Sequence, residues 1–262
     1  MGYTFGDGDV AARRLEHLAG VYEPTSAALL QQWAPPRPRH AVDLGCGPGH
    51  TTLLLHRCSD AIETVGVDMS ARYVDAARET ARGVDGVSFV NADVSRALPP
   101  AATGAGLAYV RFLLTHLTCP ADALGAWRSG LAADATIVVE ELEWMRSEHP
   151  ALDRYYCIVE SVQRANGQDM HVGGRVEAMM AAAGWHVVHS EAARLRPHAS
   201  AMALLHLLNL EALSADPALA GVPADELARL GRSLERLARG EDEATIDYGM
   251  RQVAAVARRP PS

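Results

Sequence analysis

The segment "AVDLGCGPGHTT", residues 41–52, decides how this chain folds. Its apolar beginning is typical of a β-strand, and three glycines follow within five positions, Gly45, Gly47 and Gly49. Glycine loses more conformational freedom on folding than any other residue, so such a cluster needs a structural reason. The usual reason is a backbone that passes close to a ligand. We therefore interpret this segment as a strand, a ligand-binding turn and the start of a helix.

Strand-like and helix-like segments alternate on both sides of this turn. The strand-like segments are HAVDL (40–44), ETVGVD (63–68), VSFVNA (87–92), GLAYV (106–110) and ATIVVEEL (135–142). The helix-like segments between them lie around 50–58, 70–82 and 120–132. Short apolar strands that alternate with amphipathic helices favour a parallel sheet covered by helices on both faces.

The remaining segments add helices at both ends of this α/β pattern. Two N-terminal helices are predicted over 9–22 and 24–33, because Pro24 suits the first turn of a helix. The later predictions are helices over 150–166, 175–184, 199–213 and 223–239, with strands over 184–195 and 250–259.

Composition and charge narrow the class of protein. The 262 residues include 24 basic and 32 acidic side chains, mixed along the chain, for a net charge of -8. Non-specific nucleic-acid binding needs a basic patch that displaces counterions, so it is not expected here. The N-terminal residues lack the apolar region of a signal peptide, and the most apolar segment, residues 201–213, is too short and polar to span a bilayer. We expect a cytoplasmic protein with no membrane association.

The glycine turn separates two classes of cofactor-binding protein. A dinucleotide fingerprint places a third glycine where this chain has His50, which disfavours an NAD(P)-dependent oxidoreductase. The residues "DLGCGPG" (43–49) instead resemble motif I of the class I S-adenosylmethionine (AdoMet) methyltransferases. Each of the next two strands is followed by an acid, Asp68 in "VGVDMS" and Asp93 in "VNADV". Ligands of open α/β sheets bind at the carboxyl ends of the strands, where both acids fall.

The resemblance covers roughly residues 40–145 and assigns roles to the glycine turn. Gly45, Cys46 and Gly47 would let the backbone pack against the methionine part of the cofactor. Asp43 would brace the turn or reach the methionine amino group. AdoMet is thus the cofactor that the resemblance implies.

The resemblance also assigns the nucleoside end of the cofactor. Asp68 would accept hydrogen bonds from both ribose hydroxyls, and Met69 would lie on the adenine face. Asp93 would accept from the adenine amino group, while the amide of Val94 would meet the ring. For each aspartate the alternative is a surface turn or a helix cap, since "VDMS" also looks like a cap before the next helix.

Two arginines are further candidates for cofactor binding. Arg111 stands where the family often has a polar residue close to the cofactor, or it forms a salt bridge at a helix start. Arg14 could pair with the cofactor carboxylate, or lie on a solvated helix face. Catechol-type, metal-dependent members carry an acid where this chain has Arg111, and no carboxylate cluster with ligand spacing occurs elsewhere. We therefore expect no metal site.

Three residues at the same sheet edge are candidates for a general base. His116 follows the fourth strand, and Glu140 and Glu141 end the fifth. A base helps when the methyl acceptor must lose a proton, whereas the leaving group of AdoMet departs neutral and needs no acid. Glu140 is the first candidate and His116 the second. A helix-surface position for the histidine, and a solvated one for either glutamate, are the alternatives.

Substrate-binding residues are expected outside the sheet. The apolar segment 199–213 carries His206 and Asn209 on one helical face with Met202, which fits a lid over a largely apolar pocket. The alternative is a core helix with two satisfied polar groups. Tyr3 and Tyr22 belong to N-terminal helices, which often close such sites in the family.

These observations predict a Rossmann-like, seven-stranded, mostly parallel sheet with helices on both faces and helical lid additions. The expected boundaries are a helical cap (1–36), an AdoMet-binding core (37–195) with a helical insertion near 148–183, a helical lid (196–249) and a last core strand with tail (250–262). The expected activity is metal-independent methylation of a small, largely apolar metabolite at oxygen, nitrogen or carbon. A non-catalytic AdoMet-binding module is the main rival. The oligomeric state stays open, with a homodimer as one option.

Overall fold

A computed structural model describes residues 8–214 and 216–257, without the side chains of residues 9–12. It contains one seven-stranded sheet with the strand order β3-β2-β1-β4-β5-β7-β6. The strands are β1 (His40–Leu44), β2 (Glu63–Asp68), β3 (Val87–Asn91), β4 (Leu107–Arg111), β5 (Thr136–Ser147), β6 (Trp185–Leu195) and β7 (Ile246–Ala257). β1 to β5 pair in parallel, and β7 runs antiparallel between β5 and β6. The predicted fold class is confirmed.

Helices surround this sheet and extend beyond it. They are α1 (Asp9–Trp33), α2 (His50–Ser59), α3 (Ala71–Thr80), α4 (Pro120–Gly130), α5 (Pro150–Ala165), α6 (Gly173–Ala182), α7 (Ala199–Leu213) and α8 (Ala224–Ala238). None of the helices in the described ranges is long and apolar enough to cross a membrane.

The two faces of the sheet bury different helices, because successive strand residues point to opposite sides. Val42 and Leu44 of β1 pack in a core with Trp127 of α4 and residues of α6. Ala41 of the same strand faces the other way, into a core with Leu30 of α1 and residues of α2. This alternation decides which strand-end side chains can reach a ligand.

A second layer of helices lies beyond the sheet. α5, α7 and α8 form their own apolar core with the far ends of β5 and β7, and Leu18 and Val21 of α1 pack against it. We call α5, α7 and α8 the helical layer. α1 therefore contacts the sheet with its C-terminal half and the helical layer with its N-terminal half.

The prediction of two separate N-terminal helices is wrong, because α1 runs without a break through Pro24. Proline has no N–H to donate to the carbonyl four residues earlier, that of Gly20, and its ring crowds that carbonyl. Both residues are exposed, so water can hydrate the carbonyl. The hydroxyl of Thr25 donates to the carbonyl of Tyr22 at 3.0 Å. Packing on both neighbouring layers then holds the helix together.

β5 and β7 are each longer than expected, since β5 continues to Ser147 and β7 begins at Ile246. The two strands pair with each other from Thr136 to Ser147, with a register shift near Leu142. This long antiparallel ribbon carries the chain from the sheet into the helical layer.

Candidate functional site

The glycine turn after β1 has a backbone that other residues rarely adopt. Gly45, Gly47 and Gly49 have φ angles of 76°, 52° and 90°, all in the left-handed region. The amides of Gly45 and Cys46 both donate to the carbonyl of Val67 in β2, at 2.8 and 3.1 Å. The turn is thereby folded against the end of the neighbouring strand.

Asp43 lies beneath this turn and is not among the residues that line the cavity described below. Its carboxylate accepts hydrogen bonds from the hydroxyls of Thr51 and Thr52, at 2.6 and 2.7 Å. Burial raises the pKa of this carboxyl to about 6, against the effect of the two hydroxyl donors. Asp43 therefore ties the first turn of α2 to β1, the bracing role among the two considered for it.

Asp68 ends β2 and lines the cavity described below. One carboxylate oxygen accepts from the amide of Gly47 at 2.8 Å, and the other from the amide of Ser70 at 2.9 Å. Each oxygen of an ionised carboxylate can accept more than one hydrogen bond, so two hydroxyl donors can still be accommodated. The buried carboxylate is held rigidly between the glycine turn and the start of α3.

A cavity of about 170 Å³ lies between the carboxyl edge of the sheet and the helical layer. Its wall is built by α1, the segments after β1 and β4, α5, α7 and the far ends of β5 and β7. Gly45, Cys46 and Gly47 line it at one end, with Asp68. Met202, His206 and Asn209 line it from α7, the segment for which the sequence left a lid and a core helix as alternatives.

The segment after β4 forms one wall of this cavity. Arg111 is only 8% exposed, and its guanidinium donates to the hydroxyl of Ser26 at 3.1 Å. Phe112 follows with a φ of 55°, a strained conformation for a bulky side chain, and its amide donates to the carbonyl of Glu140 at 3.0 Å. Strained residues of this kind cluster at functional sites, and Phe112 lines the cavity.

His116 lines the cavity at the end of the same segment. Burial, together with the nearby positive charge of Arg14, lowers the pKa of this imidazole to about 4. The side chain is therefore neutral at physiological pH. An imidazole of this kind is a weak general base until a bound ligand changes its surroundings.

The two glutamates do not reach the cavity wall, which corrects the expectation that one of them faces the substrate. Glu140 lies on the sheet face covered by α1 and α2, where it accepts hydrogen bonds from Tyr109 and, at 2.7 Å, from Gln252. Glu141 lies on the opposite face and accepts from the amide of Leu114 at 2.6 Å. Adjacent residues of a strand point to opposite faces, and both faces are covered at this point. Glu140, the first candidate base, is sealed away from any acceptor.

Glu141 supports the cavity wall from behind. Burial raises the pKa of its carboxyl to about 8, although the backbone amides of the Leu113–Thr115 segment act to lower this pKa by donating to the carboxylate. Within the described residues its second oxygen is buried without a hydrogen-bond partner. The side chain fixes the segment that carries Thr115 and His116 into the cavity.

A hydrogen-bonded group closes the helical end of the cavity. The Nε of Arg14 donates to the side-chain oxygen of Asn209, whose amide donates in turn to the hydroxyl of Tyr155. The ring of His206 stacks on Tyr155 with centroids 4.1 Å apart, and its Nε2 lies 3.4 Å from the hydroxyl of Tyr156. Burial lowers the pKa of His206 to about 3, so this imidazole is neutral as well.

Tyr22 also lines the cavity, from α1. Its ring meets Phe112 edge to face at 5.2 Å and Tyr248 at 6.3 Å. Burial raises the pKa of its hydroxyl, which stays protonated and can act as a hydrogen-bond donor. Tyr3, the other tyrosine predicted here, lies outside the described residues.

Three residues assigned to the adenine end lie outside the cavity. Met69 is 42% exposed, and the carboxylate of Asp93, also exposed, accepts from the amide of Ser95 at 2.8 Å. The carbonyl of Val94 accepts from the indole of Trp127 at 2.7 Å. The cavity thus covers the turn and Asp68, while the roles of Met69, Asp93 and Val94 in binding adenine stay predictions.

Sequence reasoning missed the contribution of α5 and of two apolar residues in α1. Tyr155, Val159 and Gln163 line the cavity from one face of α5, and Leu15 and Leu18 line it from α1. Their spacing of three to four residues also fits an ordinary core helix, so the pattern did not distinguish a cavity wall from a core. Among the residues that the structure describes, no group of three or more metal-type ligands occurs.

The turn end of the cavity fits the methionine and ribose parts of AdoMet. A Cβ on Gly45 would lie 3.0 Å from the side chain of Leu113, and a Cβ on Gly47 would lie 3.3 Å from that of Leu15. Glycine at both positions thus avoids close contacts with two side chains that line the cavity. The carboxylate of Asp68 suits vicinal hydroxyls, and the guanidinium of Arg111 suits a carboxylate.

Comparison with known proteins agrees with this geometry. Residues 41–134 match the family model of a methyltransferase domain. Trans-aconitate 2-methyltransferase from Acidovorax sp. (strain JS42) is 39% identical over 74 residues, and this match spans 28% of this chain and 28% of that relative. The curated relative is therefore matched over less than a third of its length.

Solved structures share the fold over most of the chain. The YcgJ protein from Bacillus subtilis is 17% identical, with a TM-score of 0.60, over 90% of this chain and all of that one. Geranyl diphosphate C-methyltransferase from Streptomyces coelicolor A3(2), solved with Mg²⁺, geranyl diphosphate and S-adenosyl-L-homocysteine, is 16% identical. Its TM-score is 0.55, over 90% of this chain and 81% of that one.

Proposed function

We propose that this chain, which carries a class I AdoMet-dependent methyltransferase domain, transfers the methyl group of AdoMet to a small, amphipathic molecule. The observation that carries the proposal is the continuity of one cavity. The glycine turn and Asp68 line one end of it, and the helical layer lines the other. A cofactor held at the first end and an acceptor held at the second would therefore share one continuous space.

The chain's own residues would position the cofactor and the acceptor and would keep water away from them. Bound AdoMet would supply a methyl group on a positively charged sulfur. The nucleophile of the acceptor would attack this methyl carbon in line with the carbon–sulfur bond, and the sulfur would leave as a neutral thioether. Asp68 would hold the ribose hydroxyls, and the turn backbone at Gly45 and Gly47 would pack against the methionine part. Holding the two reactants in reacting geometry can itself lower the barrier by about 7–11 kcal/mol. Much of the catalysis can therefore come from positioning.

His116 remains the one candidate base in the cavity wall among the three that the sequence suggested. Its neutral imidazole can accept a proton from an acceptor that is itself acidic, or can simply orient a hydroxyl. Apolar side chains such as Leu18, Met145 and Val159 form much of the acceptor end, which suits an apolar molecular body. Geranyl diphosphate in the Streptomyces structure is one amphipathic ligand bound within this fold.

Calorimetry tests the cofactor assignment directly. Wild type should bind S-adenosylhomocysteine and should not bind NADH. Asp68→Asn should weaken S-adenosylhomocysteine binding by about 10- to 100-fold, because charge-assisted hydrogen bonds to the ribose hydroxyls are lost. Asp75→Asn is the matched control, since Asp75 is an exposed residue of α3 paired with Arg78. Equal affinity in wild type and Asp68→Asn would refute the ribose assignment.

Turnover needs a separate measurement. Transfer of a radiolabelled methyl group from AdoMet to a panel of small alcohols, phenols, amines and carboxylic acids should label at least one class. Binding of the cofactor with no labelled product in any class would favour the non-catalytic AdoMet-binding module. Labelling that survives EDTA would support methylation without a metal.

A further inference from the structure

We propose that the methyl acceptor is an elongated, apolar molecule with an uncharged hydrogen-bonding group near each end, one bound by Gln163 and the other by His206. This inference rests on the proposed function and adds the chemical class of the acceptor. Gln163 lies in α5, which the sequence analysis did not connect with binding, and His206 lies in α7.

Gln163 presents an unused hydrogen-bonding atom at the cavity wall. The residue lines the cavity and is only 4% exposed. Within the described part of the chain, its side-chain oxygen has no hydrogen-bond partner. Leaving a buried acceptor unsatisfied is unfavourable, so a polar side chain at this position does not serve the stability of the fold. A ligand hydroxyl that donates to this oxygen would remove the cost.

His206 presents a second unused atom. The residue lines the cavity and is only 2% exposed, and among the residues that the structure describes its Nδ1 has no hydrogen-bond partner. Its Nε2 faces the hydroxyl of Tyr156 at 3.4 Å. An imidazole nitrogen donates or accepts according to the tautomer, so Nδ1 can pair with a hydroxyl in either form.

Asn209, one turn later in α7, differs from His206. Its side-chain oxygen accepts from Arg14, and its side-chain amide donates to the hydroxyl of Tyr155. Both functions of this side chain are therefore engaged within the fold. Of the two polar residues that α7 places on the cavity wall, His206 is the one with an atom left for a ligand.

The geometry of α5 sets the spacing between the two atoms. The ring of His206 stacks on that of Tyr155 with centroids 4.1 Å apart, so the two rings lie at the same level of α5. Gln163 follows Tyr155 by eight residues, which is about 12 Å along the helix axis. The two unused atoms are therefore on the order of 10 Å apart, and a ligand that reaches both must be elongated.

The wall between the two atoms is apolar. Val159 lies midway between Tyr155 and Gln163 on the same face of α5 and lines the cavity, as do Leu205 and Met170. A hydrocarbon body buries its surface favourably against such side chains. The ligand that fits this wall is apolar along its length and polar near its ends.

The groups at the two ends of the ligand should be uncharged. Burial lowers the pKa of His206 to about 3, so its imidazole is neutral at physiological pH, and the amide of Gln163 carries no charge. A charged ligand group in a buried site needs a partner of opposite charge, whereas hydroxyl and carbonyl groups match neutral partners. Hydroxyl groups can both donate and accept, so they suit both positions.

The two positions differ in their distance from the cofactor. Gln163 lies near the end of α5, and the chain just beyond it is tied to the segment after β4, because Gln168 Nε2 donates to the carbonyl of His116 at 3.3 Å. The same segment packs beside Gly45 of the glycine turn. The group bound by Gln163 would thus lie toward the cofactor, and the group bound by His206 would lie within the helical layer.

The test compares diols with the matched alcohols that lack one hydroxyl group. Linear α,ω-alkanediols from pentanediol to decanediol, and aromatic diols from hydroquinone to dihydroxybiphenyl, are each titrated beside the matched alcohol or phenol into protein saturated with S-adenosylhomocysteine. We expect at least one diol to bind about tenfold or more tightly than its matched alcohol, because the added hydroxyl reaches one of the two buried atoms. The preference should be smallest for the shortest diols, which cannot span the two residues.

Two variants remove the hydrogen-bonding groups separately. Gln163→Met and His206→Phe keep side chains of similar shape, and each should lower the preference for the diol about tenfold. His206→Asn should retain part of the preference, since its amide can stand near the position of Nδ1. A residue that only supports the fold would weaken the binding of diol and alcohol alike and leave their ratio unchanged.

Arg164→Gln is the matched control, because Arg164 is the exposed neighbour of Gln163 in α5 and pairs with Glu160. It should keep the wild-type preference, and all variants should keep wild-type affinity for S-adenosylhomocysteine. The thermal unfolding midpoint of ligand-free Gln163→Met should equal or exceed that of wild type, since an unpartnered buried amide does not stabilise the fold. If either Gln163→Met or His206→Phe does not fold, the other variant decides.

Each contrary result has its own meaning. If wild type does not bind S-adenosylhomocysteine, the proposed function itself fails. If wild type binds it but no diol is preferred over its matched alcohol, or if a folded Gln163→Met or His206→Phe keeps the preference, the two-point acceptor is refuted. A lower unfolding midpoint for Gln163→Met would show that its amide is already bonded within the fold, which also refutes the inference. A loss of about tenfold or more in affinity for S-adenosylhomocysteine in either variant would assign that residue to the cofactor and refute the inference as well.

Discussion

Replacing Glu141 by glutamine should stabilise this protein at neutral and alkaline pH. Glu141 is fully buried, and its carboxyl has a pKa of about 8 in the folded chain against the ordinary 4.5. At low pH the carboxyl of Glu141 is neutral in both the folded and the unfolded state, so its ionisation does not reduce the free energy of unfolding. As the pH rises above 4.5, only the unfolded chain releases this proton freely, and the free energy of unfolding falls until about pH 8.

The size of the effect follows from this difference. Each pH unit between the two pKa values is worth about 1.4 kcal/mol, so the wild type should have lost about 3 kcal/mol at pH 7 and about 5 kcal/mol above pH 8. Glutamine cannot ionise, and its side-chain oxygen can still accept from the amide of Leu114. The variant should therefore escape most of this loss.

Urea unfolding at pH 5 and pH 8, followed by tryptophan fluorescence, measures the difference. Glu141→Gln should gain about 3–5 kcal/mol over wild type at pH 8 and less than about 1 kcal/mol at pH 5. Glu143→Gln is the control two residues along the strand, where an ion pair with Arg251 at 2.6 Å is lost. It should cost about 1 kcal/mol or less at both pH values. A Glu141→Gln variant no more stable than wild type at pH 8 would refute the reasoning.

Two further predictions concern the turn and the imidazole. Gly49→Ala should lower the free energy of unfolding by about 2 kcal/mol or more, which chemical denaturation measures. The position has a φ of 90°, and an added Cβ would lie 2.9 Å from the Cβ of Ala77. Gly83→Ala is the control, with a similar φ of 82° but open space around it, and an equal loss there would contradict the steric argument. Wild-type kcat/KM should show no inflection near pH 6.5 from His116, whose pKa is about 4. An inflection there that disappears in His116→Gln would show that the imidazole titrates as an ordinary histidine.

The sheet and the turn end of the site could be predicted because their signals are local. Three glycines directly after an apolar strand specify a sharp turn, and an acid at the end of the next strand falls beside that turn because parallel strands end at one edge of the sheet. Asp68 accordingly lies where the sequence placed it, against the amide of Gly47. Local signals of this kind do not depend on how distant segments pack.

The misplaced residues depend on distant packing. The alternation of side chains along β5 shows that Glu140 and Glu141 point to opposite faces of the sheet, but it does not show which helices cover each face. That answer comes from the positions of α1 and α4, which are set by the whole topology. The continuous path of α1 through Pro24 likewise depends on contacts with two layers, which outweigh the local preference for a helix start.

The apolar core of the helical layer is separate from the apolar cores on the sheet, and this separation affects how such a protein can change its chemistry. The core under the helical layer and the cores on the sheet contain different residues, and the matched family region ends at residue 134, before α5 begins. Substitutions in distant, non-touching sites add independently. Evolution, or an engineer, can therefore exchange α5, α7 and α8 while α6 and β6 stay with the sheet, which changes the helical end of the cavity while the glycine turn keeps its shape.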